Sequence, residues 1–198
     1  MQDTGIHWDI ARYLVESVRR SMPDVQVMQL TNDSCPAVDG VEAIRIPGDM
    51  PMGIRRLKHY ASLAGDWCFV DTDVLFMQDV RGVFDDPFDV AVVSREGSAL
   101  WGTEYAQVFP YNFGVVFSRC PEFWRVALER VNTLSPDQQE WEGEQWATGK
   151  IADSGLFRVK FLPREYNFTP EKGEAAEAKI LHMKGPRKKL IPKLMGDT

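Results

Sequence analysis

The sequence predicts an α/β layered domain with a mixed, largely parallel central sheet flanked by helices. Strand-like and helix-like stretches alternate along the chain, the pattern of crossover-linked strands. One run, Trp67-Cys68-Phe69-Val70, is apolar throughout, as expected of a strand covered on both faces. With 198 residues, 44% apolar and 26% charged, the chain can bury a sizeable core.

The elements follow in order. Ile10, Tyr13, Leu14 and Val18 recur at helical spacing over residues 9–21, and Pro23 closes that helix. Residues 25–30 alternate like a strand and end in the turn-rich TNDSCP. A second short strand is predicted at 41–46, a turn at 47–51, and a helix at 52–63 that places Ile54, Leu57, His59, Tyr60 and Leu63 inward. After the buried run, strands are predicted at 90–94 and 113–118. Residues 94–110 read as a loop. The helix predicted at 121–134 starts on a proline in its first turn. A helix at 140–151 and strands at 157–162 and 179–182 complete the series. Ligands of such sheets bind beyond the carboxyl ends of the strands, so the residues just after each strand matter most.

Charge and cysteines narrow the function. The formal net charge of -6 argues against a nucleic-acid binder. The last twenty residues differ, carrying Lys179, Lys184, Arg187, Lys188, Lys189 and Lys193 against Asp197. They read either as a solvated tail or as a site for an anion. Cys35, Cys68 and Cys120 are odd in number, scattered and without a CxxC, which argues against a disulfide framework and a zinc knuckle and for reduced thiols in a cytosol. No apolar run approaches about 20 residues, so no membrane span is expected. The opening residues lack the basic and apolar regions of a signal peptide, and a cytoplasmic location is expected.

The chemistry concentrates where the buried strand runs into Asp71-Thr72-Asp73. Carboxylates two residues apart point the same way on an extended backbone. They repel, and a divalent cation that prefers hard oxygen ligands relieves the repulsion. Such a cation also bridges phosphate oxygens and takes up charge on a leaving diphosphate. The plainer alternative is a strand-end turn in which one acid caps local N–H groups. Late in the chain, His182 ends the apolar pair Ile180-Leu181 and is followed by Gly185 and Lys188. A neutral imidazole suits two carboxylates as a third ligand. Glycine allows a close backbone approach, and lysine places a compact charge on phosphate.

The segment D-W-C-F-V-D-T-D-V-L-F resembles the DxD segment of GT-A glycosyltransferases. It is most similar to the retaining family that includes glycogenin and bacterial lipopolysaccharide galactosyltransferases, glycosyltransferase family 8. Three further segments match in order: Tyr111-Asn112-Phe113-Gly114-Val115-Val116, Leu162-Pro163 with Tyr166-Asn167, and His182-Met183-Lys184-Gly185-Pro186-Arg187-Lys188. The resemblance implies one GT-A catalytic domain over residues 1–198, with the basic 179–198 segment closing the donor site. It implies Mn2+, or Mg2+, held by Asp71, Asp73 and His182. It also implies a UDP-sugar donor contacted by Lys188, Gly185, Arg56 and Asn112. Glu144 and Gln145 stand where the family has an Asp-Gln pair near the reacting sugar, so with Asp71 and Asp73 they are assigned to catalysis. Arg55 and Lys58 on the same helix as Arg56, Lys184 and Arg187 near the phosphates, Asp89 and Arg95 around the next strand, and one or two of Trp101, Trp124, Trp141 and Trp146 are weaker additions. The tryptophans are core residues by default.

The sequence departs from that family in places. No apolar strand precedes the first helix, where the fold usually opens with one, and Lys189-Leu190 replaces the expected proline and aromatic residue. The function expected is transfer of a sugar, with retention, from a nucleotide-diphosphate donor to a glycan, protein or small-molecule acceptor. Two alternatives stay open. One is a non-catalytic relative that binds a sugar nucleotide or glycan. The other is a phosphatase of the haloacid dehalogenase type, whose motif wants Thr or Val where Leu75 stands.

Overall fold

A computed structural model describes residues 4–46, 51–95, 102–139, 141–171 and 177–197. The elements run α1 (Thr4–Ser21), β1 (Met28–Thr31), β2 (Glu42–Arg45), α2 (Met52–Tyr60), β3 (Trp67–Val70), β4 (Val74–Phe76), β5 (Val90–Ser94), α3 (Gly102–Val108), β6 (Tyr111–Ser118), α4 (Pro121–Asn132), α5 (Trp141–Ala152), β7 (Val159–Leu162), β8 (Ile180–His182) and α6 (Ile191–Met195). Short 3-10 segments include Arg164–Asn167 and Gly185–Leu190. The chain divides into two compact units. One comprises Met1–Gly48, Asp71–Gly82 and Arg164–Thr198, and the other Asp49–Val70 and Val83–Pro163.

The second unit is built on a four-stranded mixed sheet in the order β3-β6-β5-β7. β6 is buried along its length after Tyr111, including the polar Asn112 and Ser118, whereas β3, the apolar run WCFV, lies at the sheet edge with Phe69 alone buried. The sheet is mixed as expected, but its parallel share is smaller than the sequence suggested. β6 runs antiparallel to both β3 and β5, and only β5–β7 is parallel. An apolar run reports neither strand direction nor a place in the middle of the sheet. A bulge between Val92 and Val93 interrupts the β5–β6 ladder. Helices α2, α4 and α5 supply Leu57, Tyr60, Phe123, Trp124, Ala127, Val131 and Ala147 to the core beside Phe69, Val92 and Val116. Trp124 is its centre. The indole meets Tyr60, Phe69, Phe113 and Phe123 edge to face, and its Nε1 donates to Ser118 Oγ at 2.8 Å.

The first unit carries two two-stranded sheets, β1–β2 parallel and β4–β8 antiparallel. One face of α1 meets β4 and the chain end: Ile10 and Tyr13 pack with Leu75, Met183 and Ile191. Ala11 and Val15 pack with Val38. Two α1 serines pair with the backbone of β4. Phe76 N donates to Ser17 Oγ, and Ser21 Oγ donates to Phe76 O, each at 3.0 Å. Phe168 bridges Leu181 in parallel, beside β8.

Three elements were not foreseen, β4, α3 and the short α6. β4 is a three-residue strand, too short to show a period and hidden behind the aspartates. α3 occupies part of the stretch read as a loop; the sequence Gly102-Thr103-Glu104-Tyr105-Ala106-Gln107-Val108 shows no apolar stripe. The turn expected at 47–51 falls largely outside the described residues, as do Trp101 and the side chain of Trp141. The three cysteines are free, in keeping with their scatter. Among the described residues no helix is long and apolar enough to cross a membrane.

Trp124 is 1% exposed, so truncating it opens a cavity and strands the Ser118 hydroxyl. Trp124→Ala is expected to cost about 3–5 kcal/mol, read as a fall in the urea midpoint of unfolding.

Candidate functional site

Four of the residues singled out in the sequence meet in the first unit. Asp71 and Asp73 flank Thr72 just before β4, and β4 pairs with β8 so that Val74 faces His182. Met183 N donates to Asp73 O at 2.7 Å, which locks this register at the aspartate. His182 Nε2 then lies 3.2 Å from Asp73 Oδ1 and 3.6 Å from Asp71 Oδ2. One ligand atom from each of Asp71, Asp73 and His182 falls within 4.8 Å of the others. On its other side, His182 Nδ1 is 2.8 Å from Asn167 Oδ1. The pairing of strands thus unites an aspartate couple with a histidine more than a hundred residues later.

Lys188 completes the group. Its Nζ lies 3.2 Å from Asp73 Oδ2. It is carried by the Gly185–Leu190 turn, which Gly185 opens at φ +59, a left-handed conformation that favours glycine. No atom lies within 4 Å of a would-be Gly185 side chain, so the need here is conformational, not one of close approach. Other basic residues of this segment have internal partners. Arg187 Nε donates to Pro170 O at 2.6 Å, and Lys179 Nζ donates to Tyr166 Oη at 2.8 Å.

Electrostatics follow from burial. Asp73 is 7% and His182 1% exposed. Desolvation works to raise the Asp73 pKa, but the hydrogen bond from His182 and the Lys188 ammonium work against it and hold Asp73 below the usual carboxylate range. Burial, first of all, lowers the His182 pKa, which favours the neutral ring. Two oxygen donors and one neutral nitrogen donor suit a hard or borderline divalent ion rather than a soft thiophilic metal. Cis ligands of such an ion, at about 2.1 Å, stand about 3 Å apart, close to the two imidazole–carboxylate spacings found here.

The remaining assigned residues lie in the second unit. Arg56 on α2 reaches Glu144 Oε1 on α5 at 3.4 Å, with the Glu144 side chain 2% exposed. Gln145 accepts from the buried Arg95 at 3.1 Å, and Arg95 also donates to the carbonyls of Phe109 and Tyr111. Arg95 is thus a clamp on the chain around α3 and β6. Asp89, at the opposite end of β5, accepts from Arg158 N at 2.7 Å and from its guanidinium. Asn112 is buried in β6, and its Oδ1 accepts from Gly114 N at 3.3 Å. Trp124 is core, while Trp146 stacks under Arg130. Sequence reasoning gave Asn167 no role and missed Gly53. A side chain at Gly53 would meet Glu144 Cβ at 2.8 Å, so this glycine lets α2 close on α5 at the Arg56–Glu144 pair. Its only sequence signal is a glycine in a helix beside Arg55-Arg56.

Solved structures share this fold. The galactosyltransferase LgtC, crystallised with donor and acceptor sugar analogs, superposes with a TM-score of 0.62 at 14% identity, over 96% of this chain and 92% of that one. A glycosyltransferase involved in the glycosylation of the major capsid of PBCV-1 gives 0.58 at 14% identity, over 100% and 95%. The apo-form glycosyltransferase GlyE of Streptococcus pneumoniae TIGR4 gives 0.61 at 13%, over 89% of this chain and 51% of GlyE. No family model and no curated sequence matches the chain. The chain therefore has the GT-A fold of these glycosyltransferases, with the likeness carried by structure.

Two outcomes are expected. Because the folded state lowers the His182 pKa, the unfolded chain takes up that proton first. The associated stability is complete above the unfolded value of about 6.5 and is lost as pH falls below it. The melting temperature of metal-free protein should drop as pH falls from about 7.5 to about 5.5, and His182→Gln should flatten that drop in calorimetric scans. Gly53→Ala gains roughly 1 kcal/mol of helix propensity but meets Glu144, and overpacking of about 1–3 kcal/mol should win, read as a lower urea midpoint.

Proposed function

We propose that this protein is a metal-dependent glycosyltransferase that moves a sugar from a UDP-sugar donor to a glycan, protein or small-molecule acceptor, with retention of configuration. The observation that carries the reading is the convergence of Asp71, Asp73 and His182, with Lys188 beside them, in a chain with the GT-A fold. The solved complex of LgtC with donor and acceptor sugar analogs supports a two-substrate reaction. Retention and the uridine base rest on the family resemblance.

Asp71, Asp73 and His182 are the residues to hold Mn2+ or Mg2+. A divalent ion held there supplies positive charge to the diphosphate as the sugar leaves. Lys188 adds a second positive charge. It rests on Asp73 and is placed to turn to phosphate oxygens once a cation neutralises that carboxylate. Gly185 sets the turn that presents it. In this reading the basic 179–198 segment closes over the diphosphate. On the resemblance, Arg56 and Asn112 serve the donor, and Glu144 and Gln145 serve the reacting sugar. The fixed pairs Arg56–Glu144 and Arg95–Gln145 support positioned, not mobile, side chains, which favours a geometry set before the substrate arrives.

A thermal-shift screen of nucleotide sugars with and without Mn2+ tests this. A ligand at 100 times its Kd stabilises the folded state by about 2.7 kcal/mol. UDP-sugars should raise the melting temperature only when Mn2+ is present. Asp73→Ala should abolish that rise and the transfer or hydrolysis of UDP-sugars; normal turnover by this variant would refute the site. Lys188→Ala should keep Mn2+ binding while weakening the donor about 10- to 100-fold, the worth of one charged hydrogen bond. Donor binding with no transfer or hydrolysis would mark a recognition module instead.

A further inference from the structure

His182 is 1% exposed and has an oxygen near each ring nitrogen. Asn167 Oδ1 lies 2.8 Å from Nδ1, and the two aspartates lie on the Nε2 side. A neutral imidazole has one proton to place between these two sides. The choice is not fixed by the ring itself. It is fixed by what Nε2 has to do.

Resting on the metal reading of Asp71, Asp73 and His182, the geometry points to Asn167 as the positioning residue of the metal-loaded site, the acceptor for the Nδ1 proton that His182 carries when Nε2 binds the ion. A neutral ring that coordinates through Nε2 has no other place for its proton. That N–H is buried, and without an acceptor it would be left unsatisfied. The metal-free state is different. There the proton can move to Nε2 and be donated to Asp73 Oδ1 at 3.2 Å, which sets the Nδ1 lone pair against Asn167 Oδ1 unless the amide turns its NH2 to the ring. Asn167 therefore stabilises the loaded state selectively. Such outer partners of histidine ligands fix the tautomer and the ring orientation.

Backbone hydrogen bonds hold Asn167 in place. Phe168 N donates to Ile180 O at 2.9 Å, and His182 N donates to Phe168 O at 2.8 Å. The segment that carries Asn167 is thus fastened to β8 on both sides of Leu181. Asn167 is itself 4% exposed, so water is a poor substitute for its oxygen. The Tyr166-Asn167 pair, which the function had left without a role, gains one here.

The test is Mn2+ binding by the full chain, followed by loss of the free-ion electron paramagnetic resonance signal, together with melting curves without metal. Asn167→Leu should raise the Mn2+ Kd about 10- to 100-fold and lower the metal-loaded melting temperature by more than the metal-free one. Asn167→Asp, which keeps an acceptor, should bind Mn2+ as tightly as the parent or more tightly. If Asn167→Leu does not fold, Asn167→Ala serves in its place. The inference is overturned if the acceptor-free variant binds Mn2+ as tightly as the parent. It is equally overturned if its metal-free melting temperature falls as far as its metal-loaded one, the mark of a purely structural role. If the parent chain itself binds no Mn2+, the metal reading of the site falls, and this inference falls with it. Parent binding with an unaffected Asn167→Leu variant removes this inference alone.

Discussion

Two carboxylates drawn close to one buried imidazole need positive charge beside them. Asp71 and Asp73 approach His182 Nε2 within 3.6 Å, and the ring's burial works against its carrying that charge. In this chain Lys188 supplies it from the Gly185–Leu190 turn. The constraint shapes the local structure. The β4–β8 ladder sets the distance, the Met183–Asp73 backbone bond sets the register, and Gly185 sets the turn that returns the ammonium. A one-residue slip of β8 would swing His182 to the opposite face.

The second unit meets a similar requirement with different chemistry. Glu144 is as buried as the core leucines, and Arg56 neutralises it. Arg95 is buried too, and carbonyls and an amide share its guanidinium. Removing one partner of such a pair leaves a charge in low dielectric, which costs more than the pair contributes. These side chains are held by packing, with Gly53 providing the clearance that lets α2 reach α5. The aromatic cluster around Trp124 supplies the rigidity behind them.

Burial also changes the meaning of single residues. Arg95 looked like a group for substrate, yet it ties the carbonyls of Phe109 and Tyr111 to Gln145. Asp89, at the other end of the strand that the two residues flank, is paired with Arg158. Of the basic residues near the C-terminus, read either as a solvated tail or as an anion site, Arg187 and Lys179 are committed to a carbonyl and a phenol. Sequence shows which end of a strand a residue flanks, but not what already satisfies it.

The sequence by itself determined the helices with clear apolar stripes, the strand WCFV though not its place at the sheet edge, and the aspartate couple and late histidine with their GT-A likeness. Those features are local, because periodicity, continuous apolarity and side-chain chemistry are all written within a few residues. Only the tertiary structure decided the rest. It set the antiparallel neighbours of β6, the short strand β4, the clamp made by Arg95, the glycine contact at Gly53, and the placing of Asn167 behind His182. Each depends on which distant segments pair and in what register. That choice is made by the burial of whole faces and the satisfaction of backbone groups across the fold, and no short stretch of chain encodes it.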